Sequence, residues 1–164
     1  FGKYETSLAI DDYDGKTFTM SGLALSNELR KVDDPSSNIE SVLLGDRTPL
    51  IVKGLEVVPS SSNRFKRTDN VVMYAQVYDL HADDANPPDV AVGYRVVDIK
   101  TGKNAFGAGP MSASMYRQKG NPIVAVGFKV PLKDVPPGSY RLDAQAAETG
   151  GSLSPVRSVL FDVE

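Results

Sequence analysis

The sequence predicts an all-β, immunoglobulin-like or fibronectin III-like antiparallel β-sandwich with an N-terminal β extension. Apolar runs of strand length alternate with Gly, Pro, Asp and Asn, whereas helix-period patterns are scarce. Residues 132–142 join two of these runs through Pro136, Pro137 and Gly138, which together favour a tight turn. Tyr140 follows at the start of the next run, the position of a tyrosine corner, whose hydroxyl bonds nearby backbone.

Seven strands are predicted in the main body, at the spacing typical of a sandwich. Their predicted ranges are 50–58, 71–80, 90–99, 104–108 with a continuation at 111–116, 123–130, 140–147 and 156–163. Glycine-containing turns at 100–103 and 148–151 support two of the joints.

Alternation assigns faces to several of these strands. Four residues of strand 140–147 are predicted to point inward: Tyr140, Leu142, Ala144 and Ala146. Their neighbours Arg141, Asp143 and Gln145 are predicted to face water. The inward face of strand 123–130 is predicted to consist of Val124, Val126, Phe128 and Val130. Strand 71–80 is apolar on both sides, which predicts either a central, covered strand or half of a binding surface.

The first 48 residues have a different composition. Residues 3–10 and 16–25 are predicted to form two strands across the acidic turn 11–15, and residues 33–48 to form a long loop or connector. We therefore predict an N-terminal segment at 1–48 and the sandwich at 49–164. The chain begins at Phe1 with no signal-peptide pattern, and we expect it to be a piece of a longer precursor.

Composition excludes several classes of partner and site. With 18 basic and 21 acidic side chains the net charge is −3 and no Lys/Arg run exceeds two residues, so no nucleic-acid partner is expected. No apolar run approaches the roughly 18 residues of a membrane span, so no membrane insertion is expected. The absence of cysteine excludes disulfides, thiolate metal sites and a cysteine nucleophile.

Two acidic stretches are candidates for a hard cation. The single histidine, His81, precedes Asp83 and Asp84 in a predicted loop, and Asp12 and Asp14 stand just before a glycine. Neither stretch has the ligand spacing of a calcium loop, and no second histidine exists for a transition metal. We predict no metal site and no cofactor.

Catalytic patterns are equally absent from the sequence. There is no G-x-S-x-G motif, and a single histidine limits the bases that could activate a nucleophile. The glycines at 102–109 open no predicted helix, so an edge-strand kink or bulge is preferred to a phosphate-binding loop. We predict no enzyme; an enzyme in which two carboxylates converge in space, such as a glycosidase, is the third hypothesis.

An interaction surface is the remaining prediction. Tyrosines at 74, 78, 94, 116 and 140 would either form an aromatic face for a carbohydrate or peptide or be half-buried sandwich residues. The residues predicted to form an interaction surface are Tyr78, His81, Asp83, Asp84 and Tyr116. The loop 81–89, the edge 100–110 and strand addition are the expected places for a partner.

A series of short motifs, in a fixed order, resembles a known family. They are Gly2-Lys3-Tyr4-Glu5, Met20-Ser21-Gly22-Leu23-Ala24-Leu25-Ser26, Arg64-Phe65-Lys66-Arg67-Thr68-Asp69, Tyr74-Ala75-Gln76-Val77-Tyr78-Asp79, Pro136-Pro137-Gly138-Ser139-Tyr140-Arg141-Leu142 and Val159-Leu160-Phe161-Asp162-Val163. Over nearly the whole chain, this order resembles the C-terminal Ig-like β-sandwich region of Acidobacteria-type von Willebrand factor A domain-containing proteins. The resemblance implies an exported, multidomain bacterial parent, with residues 2–10 closing a preceding β repeat. The D-x-S-x-S adhesion motif is lacking, so no metal site carries over.

These observations predict a non-catalytic Ig-like module of an exported protein, secreted, periplasmic or at the cell surface, acting as spacer or protein-interaction domain. The alternative is a carbohydrate-binding module attached to a degradative enzyme, although the absence of tryptophan counts against it. The partner, protein or glycan, is left open, because a fold alone does not supply a function.

Overall fold

The computed structural model describes residues 16–32, 50–78, 81 and 84–164, and it is an all-β sandwich, as the sequence predicted. The described part contains these elements: β1 (Thr19–Met20), β2 (Ala24–Ser26), β3 (Glu28–Lys31), β4 (Leu50–Val52), β5 (Leu55–Val58), β6 (Arg64–Phe65), β7 (Val71–Tyr78), β8 (Val90–Asp98), β9 (Asn104–Ser112), a 3-10 turn (Ser114–Tyr116), β10 (Ile123–Val130), β11 (Gly138–Glu148) and β12 (Arg157–Val163). Within the part of the chain that the structure describes, no helical segment has the length and hydrophobicity of a membrane span.

Two sheets form the sandwich. In the four-stranded sheet, β7 pairs with β1 and β2 on one side and with β10 on the other, always antiparallel. The five-stranded sheet has the order β6-β12-β11-β8-β9, antiparallel except that β6 runs parallel to β12. The chain crosses from one sheet to the other between β7 and β8, between β9 and β10 and between β10 and β11, as in an immunoglobulin-like sandwich.

The core lies between these two sheets. The predicted inward residues of β11 and β10 are all buried there, which confirms both alternations. Fully buried side chains from β7 and β8 complete it, among them Met73, Val77, Val92 and Val96. Period-two alternation found these residues because every second side chain of such a strand faces the opposite sheet.

Tyr140 forms the predicted tyrosine corner. Its hydroxyl donates to the Pro136 carbonyl across 2.8 Å, and its ring stacks on Phe161 with centroids 5.7 Å apart. Burial raises the pKa of this hydroxyl above its ordinary value, with the nearby charge of Asp98 acting in the same direction. The tyrosine is therefore neutral and structural, tying the turn before β11 to the strand itself.

A third sheet covers the outer face of the four-stranded sheet. The range 50–58, predicted as one strand, is instead a hairpin: β4 and β5 pair across Lys53 and Gly54, both of which have positive φ. With β3 they form a three-stranded sheet whose Val52 and Val57 pack on Tyr74. This layer explains why β7 is apolar on both sides, since each face of β7 is covered.

The segment around β1 and β2 belongs to the sandwich. Thr19 and Met20 pair with the C-terminal end of β7, and Leu25 pairs with Met73. Met20 and Leu25 are buried in the main core. The predicted strand 3–10 and the connector 33–48 lie outside the described residues, so the boundary near residue 48 stays a prediction.

One predicted exposure is wrong. Asp143 was expected to face water, but it is only 5% exposed, because Arg95, Arg141 and Ser158 surround its carboxylate on the outer face of the five-stranded sheet. The pleat direction was predicted correctly. Long side chains from neighbouring strands nevertheless cover a short acid on the same face, and alternation within one strand carries no information about that.

Candidate functional site

A groove of about 440 Å³ lies beside the third sheet, on the outer face of the four-stranded sheet. Its walls come from the β4–β5 turn, from β7 and from the segment between the 3-10 turn and β10. The lining residues are Ile51, Val52, Lys53, Gly54, Tyr74, Gln76, Met115, Tyr116, Arg117, Gln118, Asn121, Ile123 and Ala125. The groove thus combines two cations, three amides, two tyrosines and an apolar rim.

The floor is set by a row of polar groups along β7. Tyr74, Gln76 and Tyr78 alternate along the strand and so share its outer face. The Gln76 amide nitrogen donates to the Tyr74 hydroxyl across 3.0 Å, and the Tyr78 hydroxyl donates to the Gln76 amide oxygen across 3.2 Å. Burial raises the pKa of Tyr74, and the hydrogen bond with Gln76 offsets part of that effect.

Tyr116 forms one side of the groove at the end of the 3-10 turn. Its hydroxyl donates to the Gly127 carbonyl of β10 across 3.3 Å, and its ring meets Phe128 edge-on at 6.2 Å between centroids. The Lys53 ammonium lies 4.5 Å from the centre of the same ring, a cation–π geometry. Tyr116 is therefore anchored at both its hydroxyl and its ring.

Residues after the 3-10 turn are also held in place by hydrogen bonds. The Arg117 guanidinium donates to the Pro88 carbonyl across 2.9 Å, which joins the groove to the loop between β7 and β8. The Asn121 side-chain oxygen accepts from the Ile123 amide across 2.9 Å, where β10 begins. The groove thus has a fixed frame before any ligand arrives, which lowers the entropy cost of binding.

The structure places the predicted surface residues in two groups. Tyr116 lines the groove, and Tyr78 joins it indirectly through Gln76. His81 and Asp84 lie apart from the groove, next to Glu148 at the end of β11. Asp83 lies outside the described residues.

His81 connects the loop between β7 and β8 to the end of β11. Its Nδ1 is 2.7 Å from the Asp84 carboxylate, and its Nε2 is 3.6 Å from Oε1 of Glu148, which is buried. The two contacts use different ring nitrogens, so they do not converge on a common point. No group of three or more His, Asp or Glu side chains among the described residues could hold a metal ion.

Asp143 is the other concentration of charge, and its geometry is structural. Arg141 donates twice to the carboxylate, at 2.7 and 3.0 Å, while Ser158 donates at 2.7 Å and Arg95 at 3.2 Å. Burial by itself would raise the pKa of Asp143, but these hydrogen bonds and the charge of Arg141 hold it below its ordinary value. An ionised carboxylate with its acceptor positions filled cannot serve as a general acid.

The two long sheet edges, β10 and β9, are both interrupted, and strand addition there stays a prediction. On β10, tyrosine hydroxyls satisfy two backbone carbonyls: Tyr94 donates to Lys129 across 2.9 Å and Tyr116 donates to Gly127. On β9, Pro110 supplies no N–H, and the pairing with β8 has two register shifts. Interrupted edges of this kind are poor templates for another strand.

Most of the polar residues that line the groove were not predicted from the sequence. Lys53, Gln76, Arg117, Gln118 and Asn121 line it but were not predicted. Gln76 did carry a signal, since it is the one polar side chain among the apolar residues of β7. The other four lie in turns and connectors, where periodicity says nothing about which surface a side chain reaches.

No protein-family model matches the chain, and no curated protein is similar to it in sequence.

Proposed function

We propose that this chain is a non-catalytic Ig-like module of an exported, multidomain bacterial protein and that it acts as a protein-interaction domain. The observation that carries the proposal is the groove beside the third sheet. It unites side chains from three separate stretches of the chain, and it places exposed apolar groups beside amides and cations. Apolar contacts with a few fixed polar groups are typical of recognition sites.

Exposed methionine supports an interaction role. Met115 lines the groove with 68% of its surface exposed, and Ile51 and Ile123 are also exposed there. Methionine is unbranched and polarizable, and surfaces that bind peptides use it for adaptable contacts. Three exposed apolar side chains around one groove are a place where a partner would exclude water.

The carbohydrate-binding alternative has weaker support. Sugar binding by stacking requires an open aromatic face. Tyr74 is buried beneath Val52 and Val57, and Lys53 lies over the ring of Tyr116. Neither tyrosine therefore presents an uncovered ring face as a sugar platform, so a peptide fits the groove better.

Paired truncations of exposed side chains test the proposed site. A random peptide library and a glycan array are screened with the wild-type chain, and the selected ligand is then titrated against Met115→Ala and Leu160→Ala. Leu160 is 60% exposed on β12 of the other sheet and serves as the matched control. We expect Met115→Ala to weaken binding by about threefold to tenfold, roughly 1 kcal/mol, and Leu160→Ala to leave it unchanged.

One result would contradict the proposed site and another the interaction role. Equal effects of both substitutions would place the ligand elsewhere, and silent peptide and glycan screens would favour a spacer.

Export and a von Willebrand factor A-containing parent are supported by the motif order alone. Fractionation of cells that express the tagged full-length parent tests export: recovery in the cytoplasm would contradict it.

A further inference from the structure

Cationic side chains line the groove. Lys53 and Arg117 both line it, whereas none of its described lining residues is acidic. The nearest acid on the third sheet, Glu56, is paired with Ile51 in the register but does not line the groove. The chain as a whole has a net charge of −3, so the charged residues that line this groove have the opposite sign to the overall balance.

Lys53 is the cation best placed to meet a ligand. It is exposed in the β4–β5 turn, and its ammonium contacts the ring of Tyr116 rather than any carboxylate of the described residues. A cation over an aromatic ring keeps its full charge, because the ring supplies only a quadrupole. An incoming carboxylate would therefore gain an ion pair without displacing an existing one.

The amides and the apolar rim define the rest of the ligand. Gln118 and Asn121 offer side-chain donors and acceptors of the kind that bind peptide backbone, and Met115, Ile51 and Ile123 offer apolar contacts. A polysaccharide has acids and hydroxyls but no aliphatic side chains for this rim. A peptide that carries both acidic and aliphatic residues matches the cation, the amides and the apolar rim.

We propose that the groove binds an acidic peptide segment of a partner protein, with an Asp or Glu side chain at Lys53 and an aliphatic side chain against Met115 and Ile123. This inference rests on the proposed interaction function and adds the chemistry of the ligand. Charge complementarity would also speed association, because opposite charges steer the encounter.

A charge-reversal experiment tests it. Random dodecapeptides displayed on phage are selected against the wild-type chain, and the enriched peptides are synthesised and titrated by fluorescence anisotropy. The variants are Lys53→Glu and the milder Lys53→Gln, with Lys133→Glu as control. Lys133 is exposed beyond the other end of β10, so its reversal changes the net charge equally but outside the groove. Thermal melting first confirms that each variant is folded.

We expect enrichment of Asp or Glu next to aliphatic residues, at least about tenfold weaker binding to Lys53→Glu, a smaller loss with Lys53→Gln, and Lys133→Glu within about twofold of wild type. Peptides without acids, or acidic peptides insensitive to Lys53, would overturn the inference. If such peptides still lost affinity with Met115→Ala, the interaction function would stand. Binding of hyaluronate, a carboxylated polysaccharide, with no peptide enriched would overturn the peptide ligand, and no ligand at all would overturn both proposals.

Discussion

Neighbouring residues of β11 lie on opposite faces of the sheet and have very different surroundings. Tyr140 and Leu142 enter the core, while Asp143 lies on the opposite face and is nonetheless buried. The tyrosine is fixed by one hydrogen bond and a ring stack, and the aspartate by four donors from three residues. Both polar groups stabilise the fold rather than perform chemistry, and each supports a quantitative test.

Tyr140→Phe removes only the hydroxyl of the tyrosine corner. The ring stack on Phe161 is retained, so the change reports the hydrogen bond to the Pro136 carbonyl. We expect the free energy of unfolding to fall by about 1 kcal/mol, the usual net value of one hydrogen bond. Urea unfolding followed by circular dichroism measures it, and an unchanged midpoint would show that the hydroxyl contributes nothing.

Asp143→Asn makes stability less dependent on acid. The pKa of Asp143 is lowered in the folded protein, so its contribution is present above its unfolded pKa of about 3.9 and is lost as the pH falls through the folded value. We expect a loss of about 1–3 kcal/mol at pH 7, which shrinks at about pH 2.5. Urea unfolding at both pH values measures the difference.

Asp162→Asn is the matched control for this substitution. Asp162 lies in the neighbouring strand β12, where it accepts from Ser139 and sits 3.7 Å from Arg64 with its side chain substantially exposed. An exposed ion pair contributes about 0–1 kcal/mol. At pH 7 we therefore expect Asp162→Asn to lower the free energy of unfolding by less than Asp143→Asn does. If the free energies of unfolding of the wild type and Asp143→Asn differed by the same amount at both pH values, an ionised Asp143 would not be the source of the effect.

At the scale of elements, the position of each strand within its sheet explains features that the strand itself does not show. β7 is apolar on both faces because it is central and lies beneath the third sheet. β9 contains Gly107, Gly109 and Pro110 because it is an edge with an irregular register. The glycines of this edge differ sharply in the space around them.

Gly107→Ala and Gly109→Ala separate a close approach from an open edge. A Cβ at Gly107 would lie 2.7 Å from the Tyr94 carbonyl oxygen and 3.1 Å from Arg95 Cα, both backbone atoms that cannot rotate away. At Gly109 nothing lies within 4 Å. We expect Gly107→Ala to cost about 1–3 kcal/mol and Gly109→Ala to be neutral or slightly stabilising. Thermal melting compares them, and equal melting temperatures would contradict the close approach.

At the scale of the whole molecule, the described residues form three layers rather than two. The third sheet packs on the outside of the four-stranded sheet, and the segment before it contributes β1 and β2 to that sheet. The groove exists because the β4–β5 turn stands beside the 3-10 turn and the start of β10. Core packing should therefore couple the segment around β1 to the rest of the sandwich.

Met20→Ala tests that coupling. Met20 is fully buried between the sheets, so its truncation should cost about 2–5 kcal/mol and lower the midpoint of a single unfolding transition. Leu29→Ala, at an exposed position of β3, should change stability by less than about 0.5 kcal/mol. If the protein instead unfolded in two transitions, and Met20→Ala left the midpoint of the transition with the larger amplitude unchanged, the segment would fold as a separate unit.

Local sequence patterns were enough to predict the fold class, most strands of the main body, the inward residues of β10 and β11, and the tyrosine corner. These follow from local rules, since side chains alternate along a strand and Pro-Gly pairs favour turns. Tertiary structure decided what distant segments do together: the burial of Asp143, the hairpin at residues 50–58, the third layer and the groove. Lys53 and Arg117 are 64 positions apart in the chain and line one groove, a proximity that no local pattern encodes.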